Sequence, residues 1–257
     1  MLPGSVPRRH PPTIRQGAFD TERTCYLPET MPTTRNSPRK TAPKVRDGQV
    51  QKKNRWEKSV DADDTLLTEL GISFDTRAPG PGQKHVVTEL DVRRFIRCIP
   101  DWNTHAEGLR AIVLAPLDDA MGCYDHRGII YLSTWDQDLF WSCDAEFFEE
   151  HRTTLLRLGV PHDQVVDDAI PLYFDERSAR AFQLVHIFLH ELGHHRDRMT
   201  QQGRSGRGEE FAETWAVRME EQVWPRYKEF FGVPGKIRIS ASHARNRARL
   251  SIPAENA

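Results

Sequence analysis

The stretch "HIFLHELGHHRDR", residues 186–198, sets four histidines and a glutamate into a run that otherwise reads as a buried helix. An unpartnered polar group in an apolar interior costs several kcal/mol, so these side chains must satisfy one another or hold something in common. Ala179, Phe182, Val185, Phe188, Leu189 and Leu192 make the segment from Glu176 to Thr200 apolar over much of its circumference, the pattern of a helix inside a core. His190, Glu191 and His194 spell H-E-x-x-H. Residues four apart on a helix differ by about 40° in azimuth, so both imidazoles project from one face and can grip one ion. Zinc accepts histidines in this arrangement. Glu191, one residue on and to the side, can take a proton from a water on that ion without being a ligand.

The neighbouring polar residues read differently. His195 lies about 140° round the helix from His190 and is expected at the helix end, bonded to solvent or a carbonyl. His186 shares the face of His190 but stands about 12 Å along the axis from His194, so it is expected to pack or to support rather than to bind. Asp197 either contacts a ligand histidine or forms an ordinary ion pair with Arg196 or Arg198.

Catalytic zinc usually has three protein ligands and one open position. After the polar loop "TQQGRSGRG" (200–208), the segment "EEFAETWAVRMEEQVW" (209–224) offers Glu209, Glu210 and Glu213. Phe211, Trp215, Met219 and Val223 give it a helical stripe, and Pro225 is expected to end it by withholding a donor. Ala212 and Ala216 suit close approach to the first helix.

"HELGHH" followed by "GEEFAETWA" resembles the gluzincin metallopeptidases, in which a second helix supplies a glutamate ligand and a polar residue four positions later supports the first histidine. Small intracellular peptidases with a "HELGH…E-x-x-A" signature are the nearest likeness, over about 35 residues. The resemblance implies a zincin-like α+β fold: a small mixed sheet packed on the HExxH helix, with a ligand helix next in the chain. It implies His190, His194 and Glu209 as ligands of one zinc ion, Glu213 as the residue orienting His190 (and second choice as ligand), and Glu191 as the catalytic base. Set on Glu210, the pattern would put Thr214 in the supporting place. Set on Glu213, it would put Val217 there, which cannot bond a histidine N–H.

The rest of the chain supports an α+β reading. "DADDTLLTELGISFD" reads as a short helix and "TELDVRRFIRCI" as a helix stopped by Pro100. "RAIVLAPL" and "GIIYLSTW" read as strands, the second entered through the turn "DHRG". "DAEFFEEHRTTLLRLG" reads as a helix ended by Gly159, and "AIPLYFDE" as an extended segment.

Charge divides the chain unevenly. Residues 1–60 carry 13 Lys/Arg, 5 Asp/Glu and 8 of the 17 prolines, a composition that cannot offset its ordering entropy and is expected to be a disordered basic tail. Residues 232–257 carry 5 Lys/Arg against 1 Asp/Glu. With a net charge of −1 overall, residues 61–231 hold −13, since −1 − 8 − 4 = −13. A metallopeptidase domain is expected over 61–235 and a basic C-terminal tail over 236–257. The tails are expected to be solvated or to meet an acidic or nucleic-acid partner. Neither a secretory h-region nor a run near the ~20 apolar residues of a membrane span is visible. The expectation is therefore a cytoplasmic protein with no membrane partner, its four cysteines reduced.

The expected function is zinc-dependent hydrolysis of peptide bonds in a peptide or protein substrate. The alternative is a non-catalytic zincin-like module that binds a protein or nucleic acid. Tyr173, Tyr227 and His243 are candidates to stabilise the oxyanion. "GIIYLS" or "AIPLYF" is a candidate edge for pairing with an extended peptide.

Overall fold

The computed structural model describes residues 67, 70–118, 120–165, 169–201 and 208–235, together with the backbone of two short strands, β1 (Val45–Arg46) and β2 (Gln49–Val50). The tails therefore lie outside the described residues apart from that strand pair, as do residues 61–66, 68 and 69 of the helix expected over 61–75.

The architecture is α+β, with small sheets against a set of helices. A four-stranded sheet has the order β3 (Ser73–Thr76), β5 (Ala111–Leu114), β7 (Ile129–Leu132), β6 (Gly122–Asp125). The first three strands run parallel, and β6 is antiparallel to β7 at the edge. Central β5 and β7 are apolar at every position, Ala-Ile-Val-Leu and Ile-Ile-Tyr-Leu, as strands covered on both faces must be. Ser73–Thr76, expected within or after a helix, is instead a parallel strand whose partner is β5. Besides the β1–β2 pair, the described residues form two smaller pairs: β4 (Gln83–Lys84) with β8 (Trp135–Asp136), and β9 (Phe140–Cys143) with β10 (Ile170–Tyr173).

Helix starts obey local capping chemistry. Thr88 and Asp91 form a reciprocal box at α1 (Glu89–Ile96), ahead of the single turn α2 (Trp102–His105). Asp144 caps α3 (Ala145–Arg157), and Asp175 with Ser178 caps α4 (Glu176–Phe182). Each satisfies N–H groups that lack an intrahelical partner.

The helix expected to run evenly from 176 to 200 has a different middle. Between α4 and α5 (Leu189–Gln201) lies a π-helical turn, Gln183–Phe188. Its wider turn shifts the phase of α5 relative to α4, a feature often found at functional sites. Every side chain in the turn is buried, including Gln183, which accepts from the Trp135 indole and donates to the Met121 carbonyl. The last helix, α6 (Glu209–Phe231), runs through Pro225 rather than ending there. An interior proline costs about 3 kcal/mol. Burial of Val223 and Tyr227, and the Trp224–Tyr227–Phe231 ring stack, carry the helix past it.

Two glycines set how closely the site elements approach. A Cβ on Gly193 would lie 2.9 Å from both the Cα and the carbonyl oxygen of Ala212, so α5 and α6 touch backbone to backbone. A Cβ on Gly122 would meet Ile187 at 2.6 Å and the Glu191 carboxylate at 2.7 Å, so β6 lies directly on the helix. Cys98 and Cys143 are free and buried, whereas Cys123 is disulfide-bonded, against the expectation of four reduced thiols.

Gly193→Ala gains about 1 kcal/mol of helix propensity but must push two backbones apart, an overpacking that costs about 1–3 kcal/mol or more. Thermal unfolding should show a lower Tm for Gly193→Ala and no change for Gly235→Ala, where a Cβ meets open space. An unchanged or higher Tm for Gly193→Ala would contradict the packing described.

Candidate metal centre

Close packing of α5 on α6 brings residues from the two helices to one point. His190 Nε2 is 3.0 Å from Glu209 Oε2 and 3.1 Å from His194 Nε2, and His194 Nε2 is 3.3 Å from the same glutamate oxygen. Ligand atoms ~2.0–2.1 Å from a tetrahedral zinc stand about 3.3 Å apart, so this triangle has the size of a ligand set. Glu213, one turn beyond Glu209, sets Oε2 3.0 Å from His190 Nδ1. The geometry thus separates the two glutamates, Glu209 beside the Nε2 atoms of both histidines and Glu213 behind the first. Glu210 is not part of the group.

The hydrogen bonds give this group an independent reason to hold a cation. A carboxylate only accepts, so His190 Nδ1 must donate to Glu213. In the neutral imidazole, Nε2 is then a bare lone pair aimed at another acceptor, Glu209. Only a proton or a metal ion on Nε2 resolves that contact. Without a metal, burial would lower the His190 pKa, but the Glu209 and Glu213 hydrogen bonds and the Glu191 charge prevail and raise it to about 10. Burial acts to raise Glu209, and its bonds to His190 and His194 overcome that and hold it far below the usual carboxylate range. A divalent cation bound here would take the place of this borrowed proton at the same lone pairs.

Glu191 is 6 % exposed and lies against β6 rather than among the ligand atoms. Burial raises its pKa, opposed by the nearby His190 and His194 and by the Tyr124 backbone N–H.

The flanking residues are held by neighbouring elements. His195 bonds a carbonyl, that of Glu107 at 2.9 Å, but it is fully buried rather than solvated, with Tyr124 Oη 3.1 Å from its other nitrogen. Asp197 is buried and accepts from the Gly208 N–H at 3.2 Å, tying the end of α5 to the start of α6. It fixes where the ligand helix begins. Tyr173 bonds Asp163, and Tyr227 is stacked in the core, so neither faces the ligand triangle. His243 lies outside the described residues. "GIIYLS" is the interior strand β7, and "AIPLYF" is paired on one side with β9 and on the other with residues 161–163. The edge strand beside Glu191 is β6, whose last residue the sequence presents only as the start of the turn "DHRG".

Two buried residues carry no obvious mark in the sequence. Glu220 is 1 % exposed and meets His186 at 2.8 Å, Thr154 at 2.7 Å and Arg157 at 3.1 Å. His151 on α3 lies behind Glu213, at 3.9 Å. The spacing of Glu209, Glu213 and Glu220 puts all three on one face of α6, the one signal that could have found Glu220.

No protein-family model, curated protein or solved structure matches this chain.

His194→Ala or Glu209→Ala should abolish high-affinity zinc uptake at this triangle, and Glu213→Gln should weaken it by about 10–100-fold as a supporting contact is lost. Competition against a chromophoric chelator measures both; equal affinity in Glu209→Ala would remove that residue from the ligand set.

Proposed function

We propose that this protein is a zinc-dependent peptidase of zincin-like architecture, hydrolysing peptide bonds in a peptide or protein substrate. The observation that carries the reading is the ligand-sized triangle of His190, His194 and Glu209 with the buried Glu191 carboxylate next to it. His190, His194 and Glu209 would hold the ion, leaving a position open. Zinc in such a site supplies a Lewis acid for the scissile carbonyl and brings a water within reach of deprotonation near pH 7.

The chain's own residues do the rest. Glu191 accepts the proton of the attacking water and passes it to the leaving amine, serving as base and then as acid. Its burial supports this, because a carboxyl whose pKa is lifted toward neutral pH is better matched to both proton transfers. Glu213 holds His190 in the tautomer that points Nε2 at the ion. Among the described residues, strand β6 is hydrogen-bonded within its sheet to β7 alone, and its outer side beside Glu191 suits an extended peptide, which would pair with it through main-chain bonds.

Glu191→Gln should bind zinc with unchanged stoichiometry while peptide cleavage falls by at least about 10²–10⁴-fold. A peptide library with wild type, chelator-treated wild type and Glu191→Gln makes the comparison. Full cleavage by Glu191→Gln would refute the mechanism, and the absence of any chelator-sensitive cleavage by wild type would refute the function.

A further inference from the structure

Behind the ligand triangle, a second group of donors converges: His151 from α3, His186 from the π-helical turn and Glu213 from α6. One ligand atom from each lies within 4.8 Å of the others. We propose that these three residues form a second, buried zinc site that pins α3, the π-helical turn and α6 together behind the first.

The histidine tautomers point to a cation. His151 Nδ1 lies 2.8 Å from the Phe147 carbonyl, which can only accept, so Nδ1 carries the hydrogen and Nε2 is a bare lone pair. His186 Nδ1 lies 2.8 Å from Glu220, which also only accepts, so its Nε2 is likewise bare. Glu220 is held in turn by the Thr154 hydroxyl and the Arg157 guanidinium. Histidines whose far nitrogen is fixed by a carbonyl or a carboxylate are the usual form of metal-ligating histidine.

The carboxylate that both histidines face points the same way. Glu213 Oε2 is engaged by His190, while Oε1 is buried with no hydrogen-bond partner. His151 Nε2 stands 3.9 Å from Oε1, and His186 Nε2 stands 3.7 Å from Oε2. Those gaps are too wide for a proton to bridge as a hydrogen bond, which needs about 2.7–3.2 Å. They match two donors about 2.1 Å from one ion at angles of roughly 125–135°. The rings of His151 and His186 are perpendicular with centroids 4.5 Å apart, so their edges can converge without stacking. Two imidazoles and a carboxylate suit zinc or another late first-row divalent ion. Glu213 would then serve both centres, its Oε2 accepting from His190 while the same carboxylate binds the second ion.

The test is zinc stoichiometry on the full chain, stripped with a chelator, reloaded with Zn²⁺ alone and weighed by native mass spectrometry. The double variant His194→Ala/Glu209→Ala removes the first site and should retain one zinc. Adding His151→Gln to it should remove that zinc, and His151→Cys, which supplies another donor, should restore it. The proposal falls if the double variant binds no zinc, if His151→Gln leaves its zinc in place, or if His151→Cys fails to restore what His151→Gln removes. The ion lost between wild type and the double variant reports the first site separately, so either centre can fail without the other.

Discussion

Backbone contact between two helices governs everything at the centre of this protein. Gly193 leaves room for Ala212 to come within van der Waals reach of the HExxH helix, and the small residues are what allow it. At that separation Glu209 and Glu213, one turn apart on α6, reach opposite nitrogens of the same imidazole. A wider spacing, as two leucine-faced helices would adopt at about 8–10 Å between axes, would leave both carboxylates short of His190. Asp197 and Gly208 fix the start of α6 and so the phase at which its glutamates arrive.

Such an arrangement concentrates acceptors where an interior has few donors to spare. Glu209, Glu213 and Glu220 line one face of α6 and meet His190, His194, His186 and His151. Glu220 is matched by Arg157 and Thr154, so its charge is answered. Glu213 Oε2 accepts from His190 Nδ1 but its Oε1 has no hydrogen-bond partner, and Glu209 faces His190 Nε2, the nitrogen left bare when Nδ1 donates to Glu213. A buried acceptor left without a donor, as Glu213 Oε1 is, carries a penalty that a cation would relieve. The same reasoning explains why the first helix departs from regular α geometry: the π-helical turn brings His186 to Glu220 while leaving His190 and His194 together on one face.

Much of this is legible in the sequence where a short-range rule applies. The four-residue spacing of His190 and His194, the glutamate pair four apart and the small residues of α6 all express helix periodicity, and the α+β class comes from the order of apolar segments. Capping residues and the run Ile129–Leu132 are equally readable. The rest depends on tertiary context. Gly122–Asp125 looks like the approach to a turn until β7 is there to pair with it, and Ser73–Thr76 becomes a strand only beside β5. Pro225 should break a helix locally, yet the burial of Tyr227 outweighs it. Glu220 and His151 carry no obvious mark in the sequence because their partners are far away in the chain: Thr154 for one, Glu213 for the other.

The central claim is that His190, His194 and Glu209 hold one divalent cation between two helices. Anomalous diffraction at the zinc edge from crystals loaded with Zn²⁺ tests it most directly. The expected result is a peak ~2.0–2.1 Å from His190 Nε2, His194 Nε2 and a Glu209 carboxylate oxygen. A zinc-loaded crystal with no anomalous density within bonding distance of those three atoms would contradict it.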